Sequence, residues 1–121
     1  MQRFTDLKVW QEGHALALEL YSLTARFPDS ERYGLVSQLR RAAVSVPNNI
    51  AEGSKRRSKA EYAHFLNIAE GSLAEVEYLL ILSRDLGYAK AGTVEPLFAR
   101  IANMARMLHA LRIKVERGGR A

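Results

Sequence analysis

Residues 38–59 read QLRRAAVSVPNNIAEGSKRRSK, and two stripes emerge when they are wound at about 3.6 residues per turn. Carried back to Leu35, the positions Leu35, Leu39, Ala42, Val46 and Ile50 recur at steps of three and four. That spacing makes an apolar ridge suited to the core of a helical bundle. A polar ridge runs beside it through Gln38, Arg41, Ser45, Asn49 and Glu52. It mixes small hydrogen-bonding groups with one cation and one anion, unlike the lysine- and glutamate-rich face of a purely solvated helix. Gly53 reads as a C-terminal stop. The chain then leaves through Lys55, Arg56, Arg57 and Lys59, so core, polar seam and charged turn lie in one short stretch.

Working outward, a first helix is expected from about Asp6 to Arg26, with Val9, Trp10, Gly13, Leu16, Ala17, Leu20, Leu23 and Thr24 on one face. Phe27-Pro28-Asp29 ends it, because the residue before proline is pushed out of the α region. The second helix is expected from Ser30 or Glu31 to Glu52. Pro47 inside it removes a donor and crowds the carbonyl of Ala43, which predicts a kink and a rescue by Ser45, Asn48 or Asn49. Ser58 and Glu61 form a capping box that opens the third helix. Its stripe runs through Tyr62, Phe65, Leu66, Ala69, Ser72, Leu73, Val76, Leu80, Ser83 and Leu86 to Gly87, a glycine stop. Thr93 is the expected N-cap of the fourth helix, with Pro96 in its first turn. Leu97, Phe98, Ile101, Met104, Ala105, Leu108, Leu111 and Val115 carry its stripe. Residues 116–121 read as a frayed tail.

No strand-like alternation and no linker interrupts the pattern. The reading is one all-α domain over residues 1–121, an antiparallel up-down-up-down four-helix bundle. The third helix is apolar on more than one side, since Ile68, Leu79, Ile81 and Leu82 lie off its main stripe. A second apolar side predicts burial on a second side, by homo-oligomerisation as the preferred explanation and by wide packing of the first and fourth helices as the alternative.

The net charge is +5, and its distribution is uneven. Residues 54–60 hold four cations and no acid, whereas residues 61–87 carry five acids and one cation. Residues 88–121 are again basic, with seven cations and two acids. Cations gathered in one turn and the last third attract polyanions. Four cations within five positions also repel one another and favour a counter-charged ligand, with RNA or DNA phosphate the obvious one. No aromatic residue interleaves with that turn, so binding there is expected to follow charge and shape. The candidate nucleic-acid-binding residues are Arg40, Arg41, Lys55, Arg56, Arg57 and Lys59.

Arg41 sits between core positions, so its guanidinium is expected to be partly buried. A buried cation requires a carboxylate and further hydrogen bonds. Glu70, Glu77 and Glu52 are the candidate partners, in a register-fixing network with Gln38, Ser45 and Asn49.

Catalysis finds no support. The histidines are isolated, no nucleophile motif or phosphate loop occurs, and there is no cysteine for thiolate, disulfide or zinc-thiolate chemistry. Glu61 and His64 match one half of a di-iron Glu-x-x-His pair, but a second half is missing and Glu61 already serves as a cap. No cofactor and no metal are therefore expected. Absence of a signal-like start and of a long apolar run predicts a cytoplasmic protein that does not enter a membrane.

From Val9 to about Tyr88 the chain resembles the four-helix-bundle proteins encoded within intervening sequences of bacterial 23S ribosomal RNA genes. The most specific parts are Tyr33-Gly34-Leu35, Gln38 to Ala43, Asn49 to Gly53 and Phe65 to Glu77. It is also similar to the accessory variability protein of diversity-generating retroelements, a basic pentamer that contacts nucleic acid and a reverse transcriptase. The resemblance implies a homopentameric ring, no established catalytic residue, and a basic surface including Arg40, Arg41, Lys55, Arg56 and Arg57. The expected function is thus non-enzymatic binding of structured nucleic acid. The alternative is an oligomeric scaffold for an acidic or reverse-transcriptase-like protein partner.

Overall fold

The computed structural model describes residues 3–118. Four helices follow in order: α1 (Lys8–Thr24), α2 (Leu35–Ser54), α3 (Lys59–Asp85) and α4 (Ala91–Glu116). Short 3₁₀ turns occupy Phe4–Asp6 and Asp29–Glu31, and no strand occurs among the described residues. Consecutive helices pack side by side, and α4 returns to touch α1, where Arg100 pairs with Glu19. The α2–α3 contact is the most extensive and the α1–α4 contact the slightest.

The ridge expected on α2 is buried throughout, with Leu39, Val46 and Ile50 fully enclosed. It joins one apolar cluster with Leu16 and Leu20 of α1, Leu66, Leu73 and Leu80 of α3, and Met104 and Leu108 of α4. Each such side chain contributes roughly 1.5–3 kcal/mol by leaving water. Ala105, expected on the apolar stripe of α4, is exposed instead.

Helix boundaries shift where local hydrogen bonds compete. The turn Phe4–Asp6 delays α1 to Lys8, and the Gln11 side-chain amide donates back to the Thr5 carbonyl (2.9 Å). Likewise α2 begins at Leu35 because Asp29–Glu31 forms its own turn. There Glu31 accepts from the Leu35 amide through Oε1 (3.2 Å) and from the Tyr88 hydroxyl through Oε2 (3.0 Å). The bond to Glu31, with partial desolvation and the carboxylate's charge, raises the Tyr88 phenol above its ordinary pKa. At Pro47, α2 continues as a single helix with the ring buried. Gly13 of α1 faces it, so that a β-carbon there would lie 3.5 Å from the Pro47 Cδ. Asn49 donates to the Ser45 carbonyl (2.7 Å) and not to that of Ala43.

Helix α3 starts as its capping box predicts. The Ser58 hydroxyl accepts from the Glu61 amide (3.1 Å) and donates to the Glu61 carboxylate (3.2 Å). It ends on Gly87 at φ +82°, where the Gly87 amide donates to Arg84 (3.0 Å) and the Tyr88 amide to Ser83 (2.9 Å). That pair of bonds is the Schellman motif, which needs a left-handed residue at this position. Nothing lies within 4 Å of a β-carbon built on Gly87, so conformation alone opposes substitution. Gly87→Ala is expected to cost about 1 kcal/mol, read as a lower urea midpoint at unchanged slope.

Helix α4 opens at Ala91, so Thr93 lies inside its first turn and is not the cap. Lys90, in extended geometry, sets the boundary: its carbonyl accepts from the Thr93 and Val94 amides (3.0 and 3.1 Å). At the other end Glu116 is still helical, and Gly118 (φ +93°) closes the turn after it. The remainder of the tail expected to fray, residues 119–121, lies outside the described residues.

Of the off-stripe residues of α3, Leu79 is buried by its neighbours within the chain, and Ile81 and Leu82 are half-buried. Ile68 stays 38% and Tyr78 59% exposed on the outward side of the helix.

Candidate functional site

The turn between α2 and α3 is built by a close helix–helix approach. A β-carbon on Gly53 would stand 2.8 Å from the Phe65 Cβ and 3.1 Å from the Tyr62 Cδ1. Gly53 therefore ends nothing; it is a buried helical residue that lets α3 lie against the last turn of α2. Lys55 and Arg56 follow at once, their amides bonded to Glu52 (3.2 Å) and Gly53 (3.0 Å). Lys55, Arg56, Arg57 and Lys59 are all exposed. The Arg56 guanidinium lies over the Phe65 ring, 4.7 Å from its centroid. Among the described residues no carboxylate comes within ion-pair reach of Lys55, Arg56 or Lys59.

Folding adds charge to this end of the bundle. Lys59 lines a hollow of about 480 Å³ together with His64, Asn67, Arg112 and Glu116. Its Nζ is 3.8 Å from where a β-carbon of Gly118 would sit. The end of α4, with exposed Lys114 and Arg117, thus reaches the cationic turn. Two basic stretches far apart in sequence become neighbours.

Arg40 and Arg41 do not join them. Fourteen helical positions separate Arg41 from Lys55, about 21 Å along α2. Arg40 is held by α1: its Nε donates to the Thr24 hydroxyl (2.8 Å), Nη2 donates to the Tyr21 carbonyl (3.1 Å), and the guanidinium covers the Tyr21 ring at 4.4 Å.

The network expected around Arg41 is corrected. Arg41 is exposed, with no carboxylate in ion-pair reach among the described residues, and Gln38, Glu52 and Glu77 are exposed as well. Glu70 faces α4 instead, where it accepts from Arg112, with His109 Nδ1 3.8 Å away. Arg112 also donates to Glu116 (2.9 Å). The bond to Glu70, then that to Glu116, raises the guanidinium above its usual pKa. The surviving seam is neutral: the Ser45 and Ser72 hydroxyls lie 2.7 Å apart across α2 and α3, and Asn49 donates to the Ser45 Oγ (2.9 Å). The pair Arg112–Glu116 was legible as a four-residue spacing; its bridge to Glu70 depended on which helix α3 turns that side toward. Glu61 remains a cap, and His64 meets Phe65 edge-on at 5.8 Å. Among the described residues no three potential metal-ligating side chains converge, and no helix is long and apolar enough to cross a membrane.

Fold and site together define an all-α four-helix protein that gathers exposed cations at one end of its helices. The chain belongs to the 23S rRNA-intervening sequence protein family, whose model matches residues 5–110. Among solved structures it is similar to a protein of unknown function from the S23 ribosomal protein family of Bacteroides thetaiotaomicron VPI-5482. That likeness has a TM-score of 0.77 at 21% identity, over 86% of this chain and 97% of the other. No curated protein matches.

Proposed function

We propose that this chain is a non-enzymatic, homo-oligomeric bundle that binds structured RNA or DNA through the cationic end formed by Lys55, Arg56, Arg57 and Lys59. The observation that carries the reading is the convergence at one end of two basic stretches, with Lys55, Arg56 and Lys59 outside ion-pair reach of any described carboxylate. Exposed like charges gain nothing from one another, and phosphates relieve them while releasing condensed counterions. Self-association is supported by the outward Ile68 and Tyr78 of α3, and the resemblance supplies a subunit number of five. A ring repeats each weak contact, so that modest single-site affinity becomes avidity. The cytoplasm is the proposed compartment.

The test is affinity for an RNA hairpin titrated against salt. Four phosphate contacts per subunit predict a slope of roughly −3 to −4 in log K against log salt. A flat salt dependence, or no binding at low salt, would remove the reading.

A further inference from the structure

We infer that the groove between the end of α1 and the outward face of α2 binds a single-stranded nucleic-acid segment, one base stacking on Tyr33 while Arg32, Arg40 and Arg41 meet its phosphates. The groove has a volume of about 550 Å³ and is walled by Tyr21, Tyr33, these three arginines and Val44. Tyr33 is 89% exposed, on the turn that leads into α2. An open aromatic ring flanked by cations is a platform on which an unstacked base can lie. The Arg32 guanidinium lies over one face of the Tyr33 ring, 5.8 Å from its centroid, while the ring as a whole stays 89% exposed and leaves its other face to a base.

Charge selects the partner. No aspartate or glutamate lines the groove. Asp29 lines the adjoining hollow, and Glu31 is engaged by the Leu35 amide and the Tyr88 hydroxyl. Arg40 is already oriented by Thr24, the Tyr21 carbonyl and the Tyr21 ring, so little rotamer freedom is lost when an anion arrives. Arg41 has no carboxylate in ion-pair reach among the described residues. Cations beside an open ring are the composition that binds single strands, where every unstacked base offers a π-face. A duplex keeps its bases stacked and offers Tyr33 nothing comparable. The cationic turn, about 21 Å away, presents no ring as open, since Phe65 is half-buried between α2 and α3 with Arg56 close over it. The groove therefore stands on different residues from the proposed hairpin site.

The experiment compares fluorescein-labelled hexauridylate with a labelled short RNA duplex by anisotropy at low salt, using the full chain. Tyr33→Ala should weaken hexauridylate binding about tenfold or more, leave duplex binding unchanged, and be rescued by Tyr33→Trp. Arg41→Ala should make the hexauridylate salt slope shallower by roughly 0.7. Tyr33 is too exposed for its removal to threaten the fold, which circular dichroism checks. Unchanged hexauridylate affinity in Tyr33→Ala overturns the inference, as do equal losses on strand and duplex. A fall in solution molar mass in Tyr33→Ala overturns it too, because the groove then seats a second copy of the chain. Failure of hairpin binding alone removes the cationic-turn reading and leaves hexauridylate affinity in place.

Discussion

Gly53→Ala will lower the stability of this protein by roughly 2 kcal/mol, although alanine is the better helix former. The new methyl group would stand 2.8 Å from the Phe65 Cβ and 3.3 Å from the Tyr62 carbonyl oxygen. Neither is the free end of a flexible side chain, so α3 must shift away from α2 along the most extensive contact in the fold. Gly71→Ala in the same protein is the control. Nothing lies within 4 Å of a β-carbon at Gly71, and the position is exposed in mid-helix. Relief of backbone entropy should raise stability there by about 0.5–1 kcal/mol. Urea denaturation of the two variants decides the matter. Equal signs for both would mean that α2 and α3 have room for a methyl group at Gly53.

The second large effect concerns binding. Reversing Lys55, Arg56 and Arg57 to glutamate should weaken hairpin affinity by about 100- to 1,000-fold at 0.1 M salt, because each phosphate contact supplies about a factor of eight under those conditions. Helicity and solution molar mass should not change. All three side chains are exposed, and the Arg56–Phe65 contact contributes only about 0.5–1 kcal/mol. Undiminished hairpin binding would move the interface elsewhere. Collapse of the helical signal would assign these cations a structural role instead.

These two experiments probe opposite kinds of position. Gly53 is decided by a distance of a few tenths of an ångström, whereas the cationic turn acts through solvent and tolerates imprecision. The groove around Tyr33 lies between these extremes, since stacking needs a flat ring and a neighbouring cation but no exact register.

What the chain alone determined is what closes within a few turns of helix. The apolar steps from Leu35 to Ile50, the Ser58–Glu61 cap and the Gly87 stop all came through, because periodicity and a capping hydrogen bond depend only on near neighbours. Helix starts at Leu35 and Ala91 differ from expectation for an equally local reason: Asp29–Glu31 closes a turn of its own where α2 was expected to open, and the Lys90 carbonyl takes the Thr93 and Val94 amides, so that Thr93 is not the cap. Tertiary structure decided everything that depends on how one helix is turned toward another. It gave Glu70 to Arg112 and left Arg41 in solvent, it made Gly53 a point of contact, and it brought Lys59 to the end of α4. The spacing that marks a residue as polar or apolar repeats along each helix, but it carries no record of which polar groups will face each other across the gap.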